Sequence, residues 1–271
     1  AVSQRIAALE KDLGTPLFNR AHRGVTLTAD GVTLHESVRD HLAAIHVAVD
    51  KLRTRRTRQV LTVATDFAFA QFWLMPRLAA FQRLRPELDV RIVTSQHAFD
   101  IRGEAVDLAV SFGDGQWPGC DAQPILPEVV VPVCSPALLE RYAAAGGDGD
   151  AAAVMGLPLL HLESGGQNRW MTWPDWALLQ GLPQDGGNHS LTLGNYPLLI
   201  QAAIGGHGVA LGWRPLVDEL LRDGQLVVLP APTLETARGY FLVRPRGRPP
   251  WEALDSLRDW IVQGCAAAAG G

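Results

Sequence analysis

Residues able to hold a small polar ligand gather in five short stretches of this 271-residue sequence. They are Thr65-Asp66-Phe67, Thr94-Ser95-Gln96, Phe112-Gly113-Asp114, Gly194-Asn195-Tyr196 and Gly212-Trp213. Each closes a β-rich run or opens a helix-like one, and in α/β sheets ligands bind outside the carboxyl ends of strands. With Trp117 added, the candidate ligand residues are Thr65, Asp66, Phe67, Thr94, Ser95, Asp114, Trp117, Asn195, Tyr196 and Trp213. The set offers hydroxyls, amides, two carboxylates and aromatic faces, which suits a small polar ligand. Trp73 also lies near these segments. An aromatic face beside a carboxylate holds a cation, each face being worth roughly 0.5–2 kcal/mol. Taken singly, each residue also has the look of a strand-end cap or a core side chain; the grouping is what points to a ligand.

No catalytic constellation accompanies them. Gly205-Gly206-His207-Gly208 lacks the Gly-Lys-Ser/Thr ending of a phosphate loop and follows a helical run instead of opening one. Ser164 is not framed as Gly-x-Ser-x-Gly. There is no CxxC or HExxH, so no metal and no cofactor is expected, and the chain is not read as an enzyme. Cys120, Cys134 and Cys265 are odd in number and far apart, which argues for a reducing cytoplasm over a disulfide framework. The sequence shows no run of 18 apolar residues and no basic-then-apolar leader. No transmembrane span, signal peptide or membrane partner is expected.

The front of the chain carries a different chemistry. Ser3, Gln4 and Arg5 head a helical run whose Ile6, Leu9 and Leu13 recur at spacings of three and four, predicting one buried face. Gly14 ends the run and Pro16 keeps it from restarting. Val25 and Leu27 alternate with Thr26 and Thr28 as in a short strand. Thr28 then caps a long helix over residues 31–58. In that helix Leu34, Val38, Leu42, Ile45, Val49 and Leu52 form a stripe fit for a coiled-coil seam, or for an amphipathic helix lying on its own domain. Residues 1–58 hold ten Lys/Arg against six Asp/Glu, a net of +4. The whole chain is at −4, which leaves −8 on residues 59–271. A basic front on an acidic body fits a nucleic-acid head joined to a soluble sensor.

Ala1-Val2-Ser3-Gln4-Arg5-Ile6, Leu9-Glu10, Leu13-Gly14, Leu17-Phe18, Arg20, Leu27-Thr28 and Gly31 stand in the order and spacing of a known signature. The stretch resembles the LysR-type transcriptional regulators. The resemblance implies a winged helix-turn-helix that binds double-stranded promoter or operator DNA through Ser3, Gln4, Arg5, Arg20, Arg23 and Thr28. It also implies a linker helix that pairs chains into a homodimer or homotetramer. Family members carry two further helices before this point, and the sequence here begins at Ala1, inside the recognition helix. Weak, salt-sensitive DNA binding is therefore expected of the 271 residues by themselves.

The resemblance divides the chain into a partial DNA-binding head (residues 1–31), a linker helix (32–58) and an effector-binding body (59–271). In the body, strands alternate with helices, which argues for α/β lobes with parallel sheets. Lobe I is expected at 59–127 and 235–265 and lobe II at 128–234, with hinges near Pro127 and Pro230–Thr233. The whole body resembles the two-lobe periplasmic-binding-protein-like region of LysR-type regulators, with a small-molecule effector between the lobes. The competing reading is a two-lobe solute-binding protein with no DNA-binding role, against which the basic head speaks. Leu61–Pro76 and Phe112–Gly119 are similar to the branch regulating choline sulfate use, and to the glycine-cleavage and β-lactamase regulator branch. That similarity implies choline sulfate or another zwitterion as effector.

If the stripe in residues 32–58 is a seam between chains, Leu42→Asp with Val49→Asp buries charge in it. Light scattering should then show the oligomer mass falling; an unchanged mass would place the dimer contact elsewhere.

Overall fold

The computed structural model describes residues 2–21, 24–35, 38, 59–95, 101, 106–144, 151–163, 170–183, 191–247 and 250–269. The chain divides into two compact units, Ala1–Thr57 and Arg58–Gly271.

In the first unit, α1 (Val2–Leu13) ends at Gly14, whose φ of 69° is one that L side chains rarely adopt. β1 (Phe18–Ala21) and β2 (Gly24–Leu27) form an antiparallel wing, Phe18 opposite Leu27. The second strand is the one that the Val25/Leu27 alternation predicts; the first, β1, adds its pairing partner. Glu10 fixes the chain between helix and wing: its Oε1 accepts from Leu17 N at 2.8 Å and Phe18 N at 3.1 Å. Thr28 Oγ1 donates to Pro16 O at 2.8 Å and accepts from Gly31 N at 3.0 Å, capping the next helix, α2 (residues 29–35). A Cβ on Gly31 would lie 2.1 Å from Leu17 O, so only glycine fits there. Leu17 is buried, whereas Leu9 and Leu13 are 44% and 51% exposed. Their spacing predicts a buried face, but among the described residues nothing covers that side of α1. Of the linker stripe, Leu34 and Val38 are described; Leu42, Ile45, Val49 and Leu52 lie outside the described residues.

The second unit is built on β3 (Gln59–Thr65). It pairs in parallel with β4 (Leu88–Thr94), Thr65 opposite Thr94, and with β5 (Leu108–Gly113). Leu61 and Val63 enter the main core and Ala64 a smaller core on the other face of the sheet. Between β3 and β4 runs the helix α3, residues 67–84, with a π-helical turn at Ala70–Leu74. Phe69, Trp73, Leu74, Leu78 and Phe81 are its large buried side chains, and Leu84 at its end is exposed.

The rest of the sheet departs from the parallel expectation. β6 (Cys120–Cys134) and β11 (Leu234–Pro245) are long antiparallel strands that run side by side through both lobes. Pro124, Pro127 and Pro132 break this run when it is read as sequence, because proline donates no ladder hydrogen bond. The structure accommodates two of them at irregularities: register shifts fall between Thr236 and Gly239, opposite Glu128 and Pro127, and between Tyr240 and Phe241, opposite Leu126 and Pro124. The second shift leaves Ile125 without a Cα partner.

In lobe II, α4 (Pro136–Ala144) and α5 (Ala151–Met155) follow β6. β7 (Leu160–Leu162) pairs in parallel with β8 (Leu191–Leu193), and between them lies α6 (Trp173–Leu179). α6 starts at Thr172, where a capping box with Asp175 and Pro174 in the first turn set its boundary. α7 (Tyr196–Ile204) leads to β9 (Ala210–Arg214), which is antiparallel to β6. α8 (Asp218–Arg222) and β10 (Val227–Val228) return the chain to β11. The last helix, α9 (Glu252–Ala269), buries Ala253, Leu254, Leu257, Ile261 and Cys265, a stripe at helical spacing.

A Cβ on Gly239 would lie 2.2 Å from the backbone oxygen of Leu126. Gly239→Ala must push the two crossing strands apart, and urea denaturation should show a loss on the order of 3 kcal/mol. A midpoint equal to that of the parent chain would show that the crossing yields freely.

Candidate functional site

The carboxyl end of β3 delivers Thr65 and Asp66 to one corner of the sheet. Thr65 is completely buried. Asp66 N-caps α3, its Oδ1 accepting from Phe69 N at 2.8 Å. Burial pushes the Asp66 carboxyl up from the usual 3.8 to about 6, against the opposing pull of the Phe69 amide, the Tyr240 hydroxyl and the Ala68 amide. Tyr240 comes from β11, opposite Phe112 in the ladder, so both rings lie on the sheet face that carries Leu61 and Val63. Burial, with the negative charge of Asp66 beside it, pushes the Tyr240 hydroxyl well above its usual range; Tyr196 and Glu128 add to this from nearby.

A cluster of rings extends from this corner into lobe II. The Trp170 ring centre is 5.5 Å from Phe112 and 6.1 Å from Tyr240 on one side, and 4.7 Å from Tyr196 and 4.5 Å from Trp213 on the other. Phe69 packs on Tyr240 at 5.3 Å. The Tyr196 hydroxyl accepts from Trp213 N at 3.1 Å, and burial raises its pKa. Trp213 Nε1 donates to the buried Glu128 carboxylate at 2.9 Å, whose other oxygen accepts from Thr236 Oγ1 at 2.6 Å. The Arg238 guanidinium lies 4.8 Å from the centre of the Phe112 ring.

Of the residues nominated from sequence, Thr65, Asp66, Tyr196 and Trp213 therefore meet around one aromatic cluster. Thr94 and Ser95 are half-buried next to them: Thr94 is the ladder partner of Thr65, and Ser95 N donates to Thr65 O at 3.2 Å. Asn195 is half-buried as well and caps α7 by accepting from Leu198 N at 3.0 Å. Four aromatic or acidic candidates go elsewhere. Trp117 packs on Phe241, on the opposite face of the sheet. Asp114 is exposed and closes its own turn by accepting from Gln116 N at 3.0 Å. Phe67, in the first turn of α3, is 38% exposed. Trp73 is core, stacked on Phe69 and edge-on to Trp260. Gln96 lies outside the described residues.

Sequence reasoning missed Tyr240, Trp170 and Glu128. Tyr240 and Glu128 sit inside strands, where the rule about strand ends does not look. Trp170 precedes α6 by three residues, at neither a strand end nor a helix start. In the head, Gln4 and Arg5 are exposed on α1, Ser3 belongs to the same helix, and Arg20 stands in β1 opposite Val25. Thr28 spends its hydroxyl on the backbone, and Arg23 lies outside the described residues.

Residues 54–266 match the family described as LysR substrate binding domain, and residues 1–32 match that described as bacterial regulatory helix-turn-helix protein, lysR family. The chain belongs to the LysR family of transcriptional regulators. It is 32% identical to the HTH-type transcriptional activator AmpR of Rhodobacter capsulatus, over 97% of this chain and 86% of that protein. It is 31% identical to the glycine cleavage system transcriptional activator of Escherichia coli K12, over 98% and 85% respectively. Its fold follows the effector domain of AmpR from Pseudomonas aeruginosa, with a TM-score of 0.64 at 29% identity, over 79% of this chain and 98% of that one. These relatives are transcriptional regulators, not enzymes, and the cluster lies within residues 54–266, the part of the chain that matches the substrate-binding domain. Among the described residues no helix is long and apolar enough to cross a membrane.

The shifted Asp66 carboxyl makes a pH prediction. The folded chain holds this proton more tightly than the unfolded chain does, so Asp66 costs nothing below pH 3.8 and its cost grows as pH rises to about 6. Above that the cost is full, about 3 kcal/mol at most. Asp66→Asn should therefore be more stable than the parent chain at pH 8, by about 1–3 kcal/mol in urea melts, with the gap closing toward pH 4. A gap independent of pH would show that Asp66 keeps an ordinary pKa.

Proposed function

We propose that this LysR-family chain changes transcription in response to a small cation or zwitterion, held between the lobes with its positive end at Asp66. The observation that carries this reading is the charge of the aromatic cluster. Two carboxylates, Asp66 and Glu128, both act on the Tyr240 hydroxyl, against one guanidinium, Arg238, over the Phe112 ring, and residues 59–271 contain no lysine at all. Rings of Trp170, Tyr196 and Trp213 surround that negative potential, an environment that attracts cations. The start of α7 offers an anion little: Pro197 has no N–H and Leu198 N is already taken by Asn195, leaving at most the Tyr196 amide.

In this reading Thr65, Thr94 and Ser95 supply neutral hydrogen bonds and Asn195 and Tyr196 form the facing wall. Ligand binding biases the packing of the lobes, and with it the spacing of paired heads on DNA. Ser3, Gln4, Arg5, Arg20 and Arg23 face the operator, and residues 32–58 pair chains into a homodimer or homotetramer. Members of the family bind DNA and small-molecule effectors and oligomerise, which supports this arrangement.

Calorimetry with choline sulfate, glycine betaine and a set of neutral amino acids tests it. Asp66→Asn should weaken binding of the cationic ligand by about 1–3 kcal/mol, and Thr94→Val by about one neutral hydrogen bond, ~1 kcal/mol. A purely anionic effector, or unchanged affinity in Asp66→Asn, would sink the proposal.

A further inference from the structure

Two buried hydroxyls, Thr65 Oγ1 and Tyr240 OH, lie on the sheet face at the end of β3 where Asp66 follows. Thr65 Oγ1 has no hydrogen-bond partner although Thr65 is fully buried, and Tyr240 OH closes no hydrogen bond of ordinary geometry although it sits against the Asp66 carboxyl. Buried polar groups left unpartnered are uncommon in folded proteins, and each one calls for an explanation. The ladder register puts them on the same sheet face: Thr65 is opposite Val110, Val110 is opposite Leu242, and Tyr240 follows two residues away on that strand. Asp66 itself spends one oxygen on the Phe69 amide and keeps acceptor capacity on the other.

We propose that this corner recognises a protonated amine that still carries N–H bonds, in the first place a primary ammonium, with Thr65 Oγ1, the Asp66 carboxylate and Tyr240 OH as its three acceptors. The inference rests on the cationic-effector reading above and narrows it. A primary ammonium has three donors and no acceptor, which matches three acceptor groups around one charge. A quaternary ammonium can use the carboxylate and the ring faces of the cluster, but it has no N–H and leaves both hydroxyls buried and unsatisfied. The choice between the two is thus made by hydroxyls that an aromatic cage does not need.

The other groups that face this corner do not compete for the amine. From α3 come the Phe69 ring and the capped amides; from β5, Phe112; from β11, Tyr240 and the Arg238 guanidinium, a donor that lies over the Phe112 ring; and from lobe II, Trp170, Tyr196 and Glu128. Glu128 is already bonded through both oxygens to Trp213 and Thr236. Asp66 is left as the carboxylate for the ligand.

The full chain, labelled with 13C at aspartate carboxyls, should be titrated at pH 7 with methylammonium, dimethylammonium, trimethylammonium and tetramethylammonium chlorides. Asp66→Asn identifies the Asp66 signal. Methylammonium should move that signal and lower its titration midpoint, with at least tenfold tighter binding than tetramethylammonium. Thr65→Val and Tyr240→Phe should each weaken methylammonium at least fivefold and leave tetramethylammonium unchanged. Both variants should also melt at or above the parent temperature without ligand, because each removes an unsatisfied buried hydroxyl. A response of Asp66 to tetramethylammonium as strong as to methylammonium, or one indifferent to Thr65→Val and Tyr240→Phe, overturns the N–H requirement and leaves the cationic site standing. An Asp66 signal that responds to none of the four ions overturns both readings.

Discussion

The buried carboxylate of Glu128 holds together the place where the two lobes share strands. It sits on β6 just beyond Pro127 and takes Trp213 Nε1 from β9 and Thr236 Oγ1 from β11. These three strands meet where the β6–β11 ladder slips its register. A buried carboxylate left without donors would be costly, so the three strands keep their relative positions as long as the bonds stay paired. Trp213, oriented by this bond, presents its ring to Trp170 and its backbone amide to Tyr196. The placement of the Trp213 ring in the aromatic cluster thus depends on this buried acid.

Electrostatics and packing pull against each other at the opposite corner. Asp66 is a good N-cap for α3, and burying it there holds its carboxyl near neutral pH in its titration. Thr65 and Tyr240 add hydroxyls without partners. A protein selected only for stability would fill this corner with apolar side chains. These penalties fall at the carboxyl end of a strand, the place where α/β sheets bind ligands.

The head unit is built by hydrogen bonds from side chain to backbone more than by a core. Glu10 reaches two amides at the start of the wing, and Thr28 joins Pro16 to the first turn of α2. Gly31 allows α2 to approach Leu17 closely. Leu17 is the apolar side chain that this arrangement encloses. Gln4 and Arg5, near the start of α1, are exposed.

How the sequence reads depends on the range of the interaction in question. Local rules act within a few residues, and they were sufficient for α7 with its Asn195 cap, for the stop at Gly14, for the capping role of Thr28 and for β3 ending in Thr65-Asp66. The signature from Ala1 to Gly31 identified the family by itself, because its spacing follows from a helix, a turn and a wing that are contiguous in the chain. The long strand β6 was not legible: its prolines signal interruption, and only antiparallel pairing with β11, 100 and more residues away in the chain, keeps it extended. The proposed ligand corner was half legible for the same reason. Strand ends pointed to Thr65, Asp66, Tyr196 and Trp213, yet nothing local distinguishes Tyr240 or Glu128 from any other residue in a strand, or separates Trp117 and Trp73 from the rings of the cluster. Which face of the sheet a ring occupies, and which carboxylate it meets, is set by register between distant strands, and register is decided only when the chain has folded.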